Sequence, residues 1–290
     1  MTYQELWKSL TPRYEDGEAK AIARMVLEVR FGLSLTDITC GKVNELSTNN
    51  CQSLSKMFES LREGVPVQYV LGEAEFDGHV FQVAPGVLIP RPETADLVDE
   101  VARWLHERHQ RQGQDVPSPS LLDIGTGSGC IAISLSLRCP WTSVSAWDVS
   151  EKALTIASGN ASRLGARVSF ARQDALCMPI DKAKWDVIVS NPPYITMSEK
   201  KEMDSNVLDH EPHEALFVPD TAPLLFFQAI ASYATTALRV GGLLAFEINP
   251  LFADDIASML RGRDFEDVRI VDDSYGKRRL ALAVQPKTTL

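Results

Sequence analysis

The chain has 290 residues, an apolar fraction of 44% and a formal net charge of −10. That length predicts one large domain plus a smaller one, and the acidic balance opposes broad attraction to nucleic acid, whose binding is dominated by phosphate neutralisation. Five cysteines (Cys40, Cys51, Cys130, Cys139 and Cys177) are scattered without a C-x-x-C pair, which argues against a zinc site and a disulfide framework and for reduced thiols in a cytoplasmic protein.

Residues 1–20 alternate acidic and apolar positions without the charged-then-apolar pattern of a secretory signal, so the start reads as mature. No apolar run approaches the roughly 18 residues that suggest a membrane span, and a soluble, cytoplasmic protein is expected. Apolar positions three and four apart predict helices over residues 3–10, 18–31 and 51–62, punctuated by Gly17, Gly32, Gly41 and Gly64. Next, 74–76 and 79–83 flank Asp77-Gly78, a strong short hairpin signal. The expected organisation is a helical domain at 1–73, a β-hairpin linker at 74–90 and a second domain at 91–290. A helical pattern through Leu97, Val98, Val101, Trp104 and Leu105 is followed by a polar, proline-containing linker at 112–119.

From Leu121 onward, short apolar runs alternate with helical segments. Strands are predicted at 121–124, 143–147, 167–170, 185–190 and 242–248, with helices at 130–137, 151–164, 223–238 and 251–260. That alternation specifies an α/β fold, a doubly wound parallel sheet with helices on both faces. Residues 268–271 and 279–284 lack an intervening helix and are expected to pair antiparallel at the sheet edge.

Two loops carry the chemistry. Asn191-Pro192-Pro193-Tyr194 follows directly on the buried run 185–190. Two prolines lack N–H groups and fix φ, so the chain must turn out of the sheet. The turn presents an amide, a proline carbonyl and a flat ring, a set suited to gripping a planar group that bears an NH2. The second loop is Gly125-Thr126-Gly127-Ser128-Gly129, after the strand that ends Asp123-Ile124. Its glycines let the backbone approach a ligand at the carboxyl end of a strand. The spacing is G-x-G-x-G, and Cys130 stands where the dinucleotide fingerprint needs its third glycine, which disfavours a pyrophosphate-bearing cofactor. Asp148, 23 residues after Gly125 at the end of the second strand, suits a carboxylate that accepts from ribose hydroxyls. Asp174 closes the third strand, where it is placed to accept from an adenine amino group.

Asp123 to Gly129, Asp148 and Asn191 to Tyr194 together resemble a class I S-adenosylmethionine-dependent methyltransferase. Within that superfamily, Pro66 to Gly72, Val87 to Thr94, and Glu211-Pro212 followed by Ala215-Leu216 resemble the release factor glutamine methyltransferases, the HemK/PrmC family. The resemblance runs from about residue 60 to the C-terminus. It implies a seven-stranded sheet with its last strands antiparallel, S-adenosylmethionine as cofactor, and N5-methylation of the glutamine in the GGQ motif of a peptide chain release factor. It implies cofactor binding by Asp123, Gly125, Thr126, Gly127, Ser128, Gly129, Asp148, Asp174 and Asn191. It further implies that Asn191 Oδ1 and the Pro192 carbonyl accept the two substrate N–H groups, that Tyr194 packs on the substrate amide, and that Pro193 stiffens the loop. Two departures stand out: Ala95 replaces an acidic residue, and Asn249-Pro250 replaces a glycine after Glu247-Ile248.

The same loop grips adenine in amino-methyltransferases acting on DNA or RNA, so an N6-adenine methyltransferase is the alternative. Residues 1–75 contain eight Lys or Arg against eleven Asp or Glu, which makes the helical domain a poor phosphate binder, and no direct nucleic-acid contact is expected. A cofactor-binding regulator without catalysis needs no amide clamp. His210 and His213, split by Pro212, do not suggest a metal site. Arg91, Glu93 and Glu211 are secondary candidates for ligand or loop contacts, and Phe226-Phe227 is expected to face the core.

Overall fold

Helix-period apolar spacing in the first seventy residues closes into a core of its own. The computed structural model, which describes residues 1–112 and 117–286, divides into two units, the first comprising Met1–Ala74, Val83–Pro85 and Met203–Glu211. Its helices are Tyr3–Lys8, Asp16–Phe31, Leu35–Thr39, Thr48–Arg62, Val67–Leu71 and Ser205–His210. Thr2 with Glu5 and Ser34 with Asp37 form reciprocal capping boxes, each satisfying orphan N–H groups at a helix start. Ala19, Ile22, Ala23, Val26 and Leu27 make one stripe of the long helix, and they share a buried cluster with Leu54, Phe58 and Leu61. The two five-residue helices were not anticipated, because so short a segment shows no periodicity. Nor was the recruitment of 203–211, where the Arg13 guanidinium donates to Ser205 Oγ and Asn206 Oδ1, each at 3.1 Å.

The second unit comprises Glu75–Gln82, Gly86–Glu202 and Pro212–Leu290. Strands β1 (Glu73–Phe76) and β2 (His79–Gln82) pair across Asp77-Gly78. Both turn residues have positive φ, 48° and 71°, as the favoured hairpin turn demands. After the helix Thr94–Gln112, residues 113–116 of the expected linker at 112–119 lie outside the described residues.

The main sheet contains β3 (Ser120–Ile124), β4 (Ser143–Asp148), β5 (Val168–Arg172) and β6 (Trp185–Ser190). After a small parallel pair, β7 (Ile195–Thr196) with β8 (Phe217–Val218), it is completed by β9 (Leu238–Glu247), β10 (Glu266–Asp272) and β11 (Arg278–Val284). Its order is β10-β11-β9-β6-β3-β4-β5, parallel from β9 to β5, with β11 antiparallel to both β9 and β10. The seven-stranded expectation and the antiparallel edge pair both hold.

Strand alternation divides the core. Leu121, Val187 and Val189 face a cluster with Leu97, Val101 and Leu105, while their neighbours Leu122 and Ile188 face one with Phe227, Ile230 and Ile256. β6 is buried at all six positions, as the middle of a two-faced parallel sheet requires. Its one charge, Asp186, accepts from Arg108 and the Ser120 amide at 3.2 and 2.9 Å and also meets Arg239, so the buried carboxylate is compensated.

Candidate active site

Strand order reverses between β3 and β6: the chain runs outward from β3 through β4 to β5, then returns to lay β6 on the other side. Open α/β sheets bind ligands at such a switch point, beyond the carboxyl ends of the strands. A cavity of about 280 Å³ opens there, lined by Gly125, Thr126, Gly127, Ser128, Asp148, Asp174, Asn191, Pro192 and Pro193. Three predicted site residues, Asp123, Gly129 and Tyr194, are not on its wall.

The glycine turn is latched to β4 by backbone. The Gly125 and Thr126 amides donate to the Trp147 carbonyl at 2.8 and 3.0 Å, and the Gly127 amide donates to Asp148 Oδ2 at 2.9 Å. All three glycines have positive φ (75°, 55° and 84°), a region that β-carbon-bearing residues rarely adopt. At Gly129 space is also short: a Cβ would meet the Ile133 Cδ1 at 2.8 Å. Gly129 therefore serves helix–turn packing rather than ligand contact.

Asp123 sits behind the turn, fully buried, accepting from Thr126 Oγ1 at 2.6 Å and from the Ala132 amide at 3.2 Å. Burial pushes its carboxyl up to about 7, against those two hydrogen bonds. It braces the loop, and direct cofactor contact is not what its position offers. Asp148 accepts from the Gly127 and Ser150 amides, one on each oxygen. Burial raises its pKa, and those backbone donors pull it back. A carboxylate has about four acceptor sites, so two remain for hydroxyl donors from the cavity. Asp174 accepts from the Leu176 amide at 2.8 Å and lies on the cavity wall beyond β5.

At the end of β6, Ser190 Oγ donates to the Ile124 carbonyl at 2.6 Å and ties this strand to β3. The following loop is held by a network that the sequence did not announce. Asn191 Nδ2 donates to Thr94 Oγ1 at 3.3 Å, Thr94 Oγ1 donates to Glu247 Oε2 at 2.6 Å, and the Tyr194 hydroxyl donates to Glu247 Oε1 at 2.9 Å. The Tyr194 ring packs against the cluster containing Phe227, Ile248 and Phe246. Its hydroxyl is committed to Glu247, and burial beside that carboxylate pushes its pKa well up. The Tyr194 hydroxyl thus anchors the loop, and the residue is not on the cavity wall.

Sequence reasoning missed Glu247 because nothing local marks a glutamate at the end of an apolar strand as part of a site 56 residues back in the chain. Val87, Leu88, Arg91, Thr94, Glu214 and Phe226 also line the cavity. Of the three secondary candidates Arg91 is on the wall, whereas Glu93 and Glu211 are not. Phe226 corrects the expectation for its pair: only Phe227 is buried in the core, while Phe226 faces the cavity. Among the described residues, no group of three or more His, Cys, Asp or Glu side chains is arranged to hold a metal ion, and no helix is long and apolar enough to cross a membrane.

The sheet order and the position of the cavity define a class I methyltransferase fold. The solved hMettl16 catalytic domain, in complex with a MAT2A 3′UTR hairpin, shares it at TM-score 0.54, covering 72% of this chain and 76% of that one, and at 15% identity the likeness is one of fold alone. The family model described as "Methyltransferase small domain" matches residues 94–213, and that described as "PrmC N-terminal domain" matches residues 5–72. The release factor glutamine methyltransferase of Bacteroides thetaiotaomicron is 45% identical over 95% of this chain and 96% of its own length. That of Flavobacterium psychrophilum is 38% identical over 94% of each. The chain belongs to the release factor glutamine methyltransferase family.

Proposed function

We propose that this chain transfers a methyl group from S-adenosylmethionine to the side-chain nitrogen of the glutamine in the GGQ motif of a peptide chain release factor. One observation carries the reading: the Asn191 amide and the glycine turn share a single cavity at the switch point of the sheet, in a chain whose family is named for that reaction. The cavity fits the cofactor. Asp148 would accept from ribose hydroxyls and Asp174, on the same wall, from an adenine amino group, while Gly125 and Gly127 bring side-chain-free backbone to the cavity.

When bound, S-adenosylmethionine supplies an electrophilic sulfonium methyl. The protein's task is the nucleophile, since a glutamine nitrogen has its lone pair delocalised into the carbonyl. Asn191 Oδ1 and the Pro192 carbonyl accept the two N–H bonds of the substrate amide, which fixes the plane of that amide. Pro192 and Pro193, with restricted φ, keep the acceptors from moving. Positioning of this kind supplies up to about 7–11 kcal/mol of a barrier. No strong base is needed, because the nitrogen gives up a proton readily only after its new bond has formed. Tyr194 and Asp123 hold the two loops in place without touching the reacting atoms.

We assign the N-terminal unit to substrate recognition and the protein to the cytoplasm, where a partner of that class acts. Its eight Lys or Arg against eleven Asp or Glu over residues 1–75 favour a protein over a nucleic-acid partner. Incubation with labelled S-adenosylmethionine and either a release factor or DNA and RNA tests the reading. Label should appear on the factor, at one glutamine by mass mapping. Label on adenine instead would overturn it.

A further inference from the structure

We infer that Thr94 and Glu247 are positioning residues for Asn191, forming a one-way hydrogen-bond relay that turns the Asn191 carbonyl oxygen toward the substrate. The inference rests on the reading that Asn191 Oδ1 accepts a substrate N–H. A carboxamide is nearly two-fold symmetric in shape, and its terminal torsion is broad. Rotated by half a turn, Asn191 would aim an NH2 group at the substrate NH2, donor against donor. Neither proline nor any backbone group of the loop selects between these two states.

The selection comes from the far end of the relay. Ionised Glu247 only accepts, and it takes one hydroxyl on each oxygen, Thr94 at 2.6 Å and Tyr194 at 2.9 Å. A hydroxyl has one proton. Thr94, having donated it to Glu247, meets Asn191 only as an acceptor, so Asn191 must present Nδ2, as it does at 3.3 Å. Oδ1 is then left facing the cavity. Glu247 is 1% exposed and off the cavity wall, so water does not take its place at the end of the relay. Burial raises the Glu247 pKa and the Glu93 charge adds to that, while the Thr94 and Tyr194 hydroxyls and the nearby Arg279 charge favour its ionised form. An apolar pair at 94 and 247 would fill the same space, so holding the sheet to the 94–112 helix does not by itself call for a buried carboxylate.

Thr94→Val keeps the side-chain volume and removes the relay. In full-length protein assayed with a release factor and labelled S-adenosylmethionine, kcat should fall about tenfold or more. The release-factor KM and the cofactor Kd should stay within about threefold, and Thr94→Ser should restore kcat to within about twofold of wild type. Glu247→Gln, which brings a donor to the end of the relay and lets it run in either direction, should lower kcat in the same selective way. Unchanged kcat in Thr94→Val, failure of serine to rescue, or a loss that tracks a rise in cofactor Kd would each overturn the relay. Asn191→Ala separates this from the underlying reading: if that variant turns over normally, the clamp itself is wrong, whereas an inactive Asn191→Ala beside a fully active Thr94→Val sinks the relay alone.

Discussion

The two halves of the cavity are built in different ways. The donor side, Gly125 to Gly129 with Asp148, is made by a short stretch of chain and the neighbouring strand, and backbone amides do most of the holding. The side proposed for the methyl acceptor is held by side chains from three remote segments, Thr94 and Asn191 on the wall with Tyr194 and Glu247 behind it. A backbone-built cradle depends on the conformation of a few glycines and tolerates change elsewhere. A side-chain-built clamp depends on buried hydrogen bonds, each of which costs about 1–3 kcal/mol to leave half-made.

Substitutions should separate the halves by what they damage. Asn191→Ala should lower kcat about a thousandfold or more, as loss of a reacting-group contact does, with cofactor Kd within about tenfold by calorimetry. Near-normal turnover would merge the two halves into one binding surface. Asp148→Ala should do the reverse, raising the cofactor Kd about ten- to a hundredfold, an effect of about 1.4–2.8 kcal/mol, with kcat at saturation much less affected. Unchanged binding would remove Asp148 from the donor side.

Smaller effects should appear in stability. Gly129→Ala forces a β-carbon into a position of φ 84° and against Ile133, and should cost about 1–3 kcal/mol, lowering Tm in a thermal melt without a change in the Asn191 loop. A further test of stability is by pH. Asp123 binds its proton more tightly folded than unfolded, about 7 against an ordinary 3.8. Its contribution is therefore complete below pH 4 and is lost as pH rises from about 4 to 7. Asp123→Asn should remove that part of the slope in denaturant titrations across this window, and an unchanged slope would show that the carboxyl stays ionised behind the turn.

Some expectations were readable because the signal is local. Asp77-Gly78 announced its hairpin, and the runs at 121–124 and 185–190 announced buried strands that the structure reproduces at Ser120–Ile124 and Trp185–Ser190. The excursion from Ile195 to Val218 was not readable, because two-residue strands and single helical turns are shorter than any period. Tyr194 shows the limit from another side. Its type and position suggest a stacking platform, yet its hydroxyl satisfies a buried carboxylate 53 residues away.

What the sequence determined by itself was the order of strands and helices, the two loops, and the residue types at their tips, since strand alternation, glycine freedom and proline rigidity act over a few neighbouring residues. The tertiary structure decided which way those tips point. Asn191 has two equivalent faces as far as its own loop is concerned. Only the fold brings Thr94 and Glu247, 153 residues apart, beneath it in a buried space where an acceptor-only carboxylate can set the direction of every hydrogen bond above it.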